Sequence, residues 1–371
     1  MTSLLESYRG YVTAVSPIHI GNGLTYNKKE YILYQAKRPV VIIPDMRKLY
    51  GQLCALGYGA AFEDFMLDPE QKDLSRWLKD HKVAKDFYDS IGLYALSNLD
   101  SAVKLNGINP FIKDGSGLPY IPGSSIKGMI RTCLMIWEIA KKQKLNRIPQ
   151  IKVITEPLER PDKSFLRNEC KDIEAQIFNT LERNKKKFDD MVNSCMSGLI
   201  VGDSDCFDYK QLTLAQVSAL QLNGQDKKLN VFKECIIPGT KVGFTLTLDK
   251  SLCPYSLENI REAIDFSAKL IFAGFYSKFK VTPINSSGIF WLGGNTGFTT
   301  KTIMHALYDE NEAVKNTDQV FKHTLGKKVY KMHGHARDVE IGMAPHTCRC
   351  CSYYGKLYDM GRCRVDFESL K

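Results

Sequence analysis

Tyr120-Ile121-Pro122-Gly123-Ser124-Ser125-Ile126-Lys127-Gly128-Met129-Ile130-Arg131 is the stretch on which the reading of this chain turns. Ile126, Ile130, Leu134 and Trp137 recur at helical spacing, which predicts a helix starting near Ser124 or Ser125, either of which can cap it. Lys127 and Arg131 stand one turn apart and share the opposite face. A glycine-containing loop running into a helix offers free backbone N–H groups and a positive dipole end, and together these hold a phosphate. With two hydroxyls and two cations on adjacent turns, the segment reads as a clamp for a phosphate backbone.

Upstream, residues 9–20 form a β-rich run ending in Ser16-Pro17-Ile18-His19-Ile20-Gly21-Asn22-Gly23, a strand delivered into a tight, backbone-exposed loop. Short strands are predicted at 31–33 and 40–43, a helix from Pro44-Asp45 to about Leu56, and helical pattern over 60–95. Downstream, residues 141–190 are a highly charged insertion expected to be partly mobile. Residues 198–203 read as a buried strand closing a first domain (1–209). A second domain (210–371) restarts with strands near 229–237 and 242–248 and a helix at about 257–272. Trp291-Leu292-Gly293-Gly294-Asn295-Thr296-Gly297-Phe298 follows as a second glycine-rich loop, leading into a helix through Lys301, Ile303, Met304 and Leu307. Neither loop is a nucleotide P-loop: Phe298 and Leu292 stand where that motif requires lysine and its first glycine.

Composition agrees with a polyanionic partner. Lysine plus arginine outnumber aspartate plus glutamate by 51 to 41, a formal +10, on an ordinary globular background of 44% hydrophobic and 25% charged residues. Residues 320–356 gather Lys322, Lys327, Lys328, Lys331, Arg337, Arg349 and Lys356 against only Asp338 and Glu340. His323, His333, His335 and His346 lie there too, with Tyr330, Tyr353 and Tyr354 interleaved. Cations for phosphates and flat rings for bases suit single-stranded nucleic acid; a solvated basic face is the plain alternative. The first ten residues carry no apolar core or basic leader, and no apolar run approaches a membrane span, so a cytoplasmic location is expected. The eleven cysteines lack small-domain spacing and read as thiols in a reducing compartment.

The motifs carry a resemblance. Residues 122–131 resemble the signature loop of the RAMP superfamily of CRISPR proteins, 16–23 resemble its first-strand motif, and 292–298 its C-terminal glycine-rich loop. Ala-Pro-His-Thr (344–347) with Gly355-Lys356-Leu357-Tyr358-Asp359-Met360-Gly361 narrows the likeness to the fifth-subunit family of the type III-A (Csm) effector complex. The resemblance covers nearly the whole chain apart from 141–190. It implies an α+β fold of tandem ferredoxin-like (RRM-like, βαββαβ) RAMP domains with a charged helical insertion. It also implies a crRNA-binding subunit that caps the 3′ part of the guide and contributes to crRNA maturation. The implied partners are crRNA, the repeating backbone subunit and the small subunit, with cellular trimming nucleases. The RNA-binding residues drawn from these motifs are His19, Gly21, Asn22, Gly23, Gly123, Ser124, Ser125, Lys127, Arg131, Gly293, Gly294, Asn295, Gly297, Lys301, His346 and Lys356.

Catalysis is not expected. Backbone subunits of such complexes cut RNA with an aspartate in the loop after the first strand; here residues 21–30 contain none. His19 could act as a general base on a 2′-hydroxyl, which keeps an endoribonuclease that processes the crRNA precursor as the alternative, with a protein-only assembly adaptor as the third reading. Asp203 with Asp205 fits a turn cap better than a metal pair. Cys348, Cys350, Cys351 and Cys363, near His333, His335 and His346, lack paired CxxC knuckles, so no metal or cofactor is assigned.

Overall fold

The structure, a computed structural model, describes residues 4–34, 39–83, 86–97, 105–142, 145 and 148–369. Its strands are β1 Leu5–Ala14, β2 Ile32–Tyr34, β3 Val40–Pro44, β4 Gly92–Leu96, β5 Ile108–Asn109, β6 Leu199–Val201, β7 Leu212–Gln221, β8 Asp226–Ile236, β9 Lys241–Asp249, β10 Ile289–Trp291, β11 Thr347–Tyr353, β12 Lys356–Asp359 and β13 Arg362–Ser369. Its helices are α1 Met46–Ala55, α2 Gly59–Leu67, α3 Leu74–Asp80, α4 Asp86–Ile91, α5 Gly123–Lys142, α6 Arg167–Phe178, α7 Leu257–Gly274, α8 Met304–Leu307, α9 Glu310–Thr324, α10 Lys327–Met332 and α11 Asp338–Ile341.

The central sheet runs β10-β13-β1-β9-β6, antiparallel throughout. In β1 the residues Gly10, Val12 and Ala14 point inward, and Gly10 has a specific reason to lack a side chain. A β-carbon there would lie 2.2 Å from the Phe244 ring of the neighbouring strand. Helices α5 and α7 cover this sheet and pack on each other, with the Ser267 hydroxyl donating to the Cys133 carbonyl at 3.1 Å. Along the chain, β1, α5, β6, β9, α7 and β13 follow one another as β-α-β-β-α-β within this one layer.

A second five-stranded sheet, β12-β11-β7-β8-β5, packs its inner face into the same core. Its other face buries Ala215, Val217, Cys235, Cys351 and Met360 in a small separate cluster. That explains why β7 is buried on both sides. The third sheet, β2-β3-β4, belongs to a lobe with its own core around Leu49, Leu53, Phe62, Phe65, Leu74 and Trp77. The Lys29 ammonium holds this lobe by donating to the carbonyls of Phe65, Met66 and Asp68 (2.7, 3.0 and 2.8 Å) at the end of α2, where backbone acceptors have no helical partner.

Strands from both sides of residue 209 share both five-stranded sheets, so the two halves read from the sequence are interleaved through their strand pairing. The charged insertion carries α6, whose Ile173, Ile177 and Phe178 are buried in the main core. The helix predicted after the second glycine loop is broken into a single 3-10 turn, Thr299–Lys301, and the one-turn α8. There the Thr300 hydroxyl bonds back to the Thr296 hydroxyl at 2.8 Å, a local bond that competes with helix continuation.

Candidate nucleic-acid interface

Three glycine-bearing segments converge on one open cleft of about 410 Å³. Gly21 comes from the loop after β1, Ser125, Gly128 and Thr132 from α5, and Gly293, Gly294 and Lys301 from the loop after β10. The wall between them is a backbone seam. The Gly294 N–H donates to the His19 carbonyl at 2.6 Å, Leu292 N–H to Gly361 at 2.8 Å, and Gly361 N–H to Pro17 at 2.9 Å. Glycine is required along this seam. Gly293 sits at φ +91, and a β-carbon would stand 2.2 Å from the His19 oxygen; at Gly361, φ +84, it would stand 2.6 Å from the Leu292 oxygen. Behind it, buried Asp359 accepts from the Trp291 indole at 2.6 Å and from Arg362 at 3.0 Å.

His19 belongs to the packing of this wall. Its ring is buried, its Nδ1–H donates to the Glu234 carbonyl at 2.8 Å, and its edge meets Phe111. Burial, then the charges of Lys233 and Lys113, hold its pKa down to about 4, so the ring is neutral near pH 7. Gly21 lies against the same ring: a β-carbon would come 2.8 Å from Nε2. Among the RNA-binding residues read from the sequence, His19 is the one whose imidazole is enclosed by protein, with its backbone carbonyl in the seam.

Lys301 gives the cleft its charge: the side chain is exposed on the cleft wall, and partial desolvation there lowers its pKa. Lys233 on β8 is half-buried outside the cleft lining, near enough that its pKa is lowered by burial and then by the charge of Lys301. Among the described residues neither ammonium has an ion-pair partner. Lys233 was not legible as a site residue, although a Lys-Glu pair inside the otherwise apolar run Val231–Ile236 was a usable signal. The glutamate of that pair, Glu234, is fully buried and accepts from Tyr94 (2.6 Å), the Phe111 N–H (2.8 Å) and Lys113 (2.7 Å). These bonds fix the loop opposite Gly21.

Helix α5 differs from its sequence reading at its entrance. It begins at Gly123, whose N–H donates to the Asp203 carboxylate at 2.7 Å, so the chain supplies its own anion at that N–H. Gly123 is needed because a β-carbon would lie 2.3 Å from the Val201 oxygen. Asp205 pairs with Arg9, so the two aspartates serve different partners. Ile126, Ile130, Leu134 and Trp137 are buried as the spacing predicts. Lys127 and Arg131, read from the sequence as one clamp, have different surroundings in the fold. Lys127 is half-buried near Cys253, its pKa lowered by burial, and Arg131 is ion-paired to Glu174 of α6. Arg131 lines a neighbouring apolar hollow of about 310 Å³ with Met135, Ile173 and Tyr308. The α5 face turned to the cleft is Ser125, Gly128, Met129 and Thr132, while Ser124 is exposed outside it.

The remaining sequence candidates are dispersed. Asn22 closes an exposed turn by accepting from the Leu24 N–H at 3.0 Å, beside Gly23 at φ +86. Asn295 and Gly297 adopt φ +62 and +97 on the rim of the second glycine loop. His346 is held by Asp338, and Lys356 lies over the Tyr358 ring at 4.9 Å; both stand outside the cleft. Part of the basic stretch 320–356 is engaged with the chain itself, while Lys328, Lys331 and Arg337 are exposed. Lys322 pairs with Asp318 (3.1 Å), Lys327 with Glu159 (3.0 Å), and His323 stacks on Phe165. The cysteines do not meet at one centre. Cys348 and Cys350 have sulfurs 3.8 Å apart, Cys351 lies on the other face of β11, and burial pushes Cys363 up to about 12. No helix among the described residues is long and apolar enough to cross a membrane.

The model of the RAMP superfamily matches residues 11–325. The chain is 30% identical over 310 residues to the CRISPR system Cms protein Csm5 of Streptococcus thermophilus, covering 80% of each. Csm5 of Mycobacterium tuberculosis is 24% identical over 398 residues, with 99% of each chain covered, and Csm5 of Enterococcus italicus 21% over 401 residues, with 98% covered. Among solved structures, a chain from a cryo-EM structure of a type III-A Csm–crRNA–target RNA ternary complex shares the fold with a TM-score of 0.64. Identity there is 18%, and the match covers 97% of this chain and 100% of that one. The crystal structure of T. onnurineus Csm5 aligns with a TM-score of 0.57 at 15% identity, covering 95% and 99%.

Proposed function

Because the chain belongs to the RAMP superfamily and, within it, to the Csm5 proteins, we propose that it is a crRNA-binding subunit of a type III-A CRISPR ribonucleoprotein. In this role it caps the 3′ part of the guide and contributes to crRNA maturation. Its neighbours would be the repeating backbone subunit and the small subunit, with trimming nucleases acting on the guide end. The observation that carries the reading is the cleft in which the three glycine-bearing segments meet beside Lys233 and Lys301. Glycine walls let a polymer backbone approach, and two ammonium groups without an ion-pair partner among the described residues suit phosphates. Such contacts position a strand without reading its bases.

The same reading takes the β-α-β-β-α-β layer as one ferredoxin-like unit that runs from the first strand to the last, and the second five-stranded sheet as the core of the other. It is a binding role without cleavage, supported by the aspartate-free loop 21–30 and the enclosed imidazole of His19. The test is labelled crRNA and its precursor, mixed with the chain alone and with the chain assembled with its partner subunits. Retention of intact RNA that weakens steeply with salt is expected. Salt-independent retention, no retention in the assembly, or cleavage by the chain alone would each overturn it.

A further inference from the structure

Away from the cleft, the turn Gly334–Ile341 and the segment entering β11 meet over a single carboxylate. Asp338 is fully buried, and each of its oxygens faces an imidazole. His335 Nδ1 lies 2.8 Å from one oxygen, and His346 Nδ1 is hydrogen-bonded to the other. The three donor atoms lie within 4.8 Å of one another, and they are the one such group of His, Cys, Asp or Glu among the described residues. We propose that His335, Asp338 and His346 form a binding site for a divalent transition metal ion of the zinc class.

Three observations carry the assignment. A carboxylate removed from water is costly unless a cation faces it, and among the described residues no lysine or arginine pairs with Asp338. The two histidines, eleven positions apart, present the same nitrogen to the same group, so the donors converge and do not merely neighbour each other. The donor set is two imidazole nitrogens and one carboxylate, which suits zinc as three protein ligands with a fourth position for water. The rings of Phe321 and Tyr330 flank His335 at 4.5 and 5.9 Å and keep that side dry, while His346 sits at the rim and leaves a way in. On binding, the two Nδ1 contacts to Asp338 would give way to two nitrogen–metal bonds, with any proton on Nδ1 released or moved to Nε2. A bound ion would tie the α10–α11 segment to β11, in a region where the sequence alone assigned no metal.

The experiment uses the full chain purified without a histidine tag, dialysed against metal-free buffer, with metal content read by mass spectrometry and zinc affinity by competition with a chromophoric chelator. About one zinc per chain is expected, with His346→Ala and Asp338→Asn each weakening zinc at least about tenfold. Zinc should raise the melting temperature of the wild type and leave that of His346→Ala unmoved. Because His346 lies at the rim, that variant reports on the ion even if Asp338→Asn fails to fold. No tightly held zinc in the wild type, or equal zinc affinity in His346→Ala, would overturn the assignment.

Discussion

The Gly293 α-carbon faces the carbonyl oxygen of His19 so closely that a methyl group there would stand 2.2 Å from it. This contact joins the two glycine-bearing loops into one wall, and it makes a sharp distinction among the glycines. Gly293→Ala should destabilise the chain by about 2 kcal/mol or more, because it combines a left-handed backbone with a steric clash. Gly297→Ala, at φ +97 with open space around it, should cost about 1 kcal/mol from backbone strain alone. Urea unfolding of both variants checks this, and equal costs would show that the seam yields.

Lys233→Met and Lys301→Met keep the aliphatic stems and remove the charges. If both ammonium groups touch phosphates, the double variant should lower the slope of log affinity against log salt by about 1.4, near 0.7 per lost contact. Stability should not fall. Both pKa values lie below the ordinary lysine value in the folded chain, so folding weakens proton binding there, and stability rises with pH as 10.5 is approached from below. Neutral replacements remove that penalty at pH 7. A salt titration beside a thermal melt reads both outcomes, and an unchanged slope would move the RNA elsewhere.

His19 gives a pH window. Its folded pKa of about 4 lies below the free value of 6.5, so the unfolded chain takes up a proton between those values while the folded chain does not. Stability contributed by the neutral ring is therefore present above pH 6.5 and is lost as pH falls toward 4, up to about 3 kcal/mol. His19→Asn should flatten the stability profile across that window. A profile identical to the wild type would place the titration on other groups.

Arg131→Ala removes the ion pair with Glu174 that helps seat α6. With both partners partly exposed, the loss should stay within about 1 kcal/mol. The salt slope of guide binding should match the wild type, in contrast to the lysine variants. A flattened slope would restore the clamp read from the sequence.

Much of the site's backbone was legible because it depends on local rules. Helical spacing placed Ile126, Ile130, Leu134 and Trp137 inward, and glycine runs marked the two loops that now face each other. The charges were less legible, since their meaning depends on distant partners. Asp203 caps α5 from 80 positions away, Glu174 engages Arg131, and Asp318 and Glu159 take up cations of the basic stretch. Strand β7 escaped notice because burial on both faces erases the alternation that marks a half-exposed strand. Lys233 and Glu234 fall inside a strand read near 229–237, but the charges acting on them, those of Lys301 and Lys113, are distant in sequence.

The placement of β1 between β9 and β13 also has a bearing on how the chain is made. A ribosome emits the Ser16–Gly23 segment early, yet its backbone partners Gly361 and Arg362 are polymerised some 340 residues later. Until then the innermost strand of the central sheet has an open edge and the cleft has no back wall. Contacts so far apart in sequence close slowly. A product terminated before Gly361 would therefore leave β1 with an unpaired edge and the Pro17 carbonyl and Leu292 N–H of the seam without their partner.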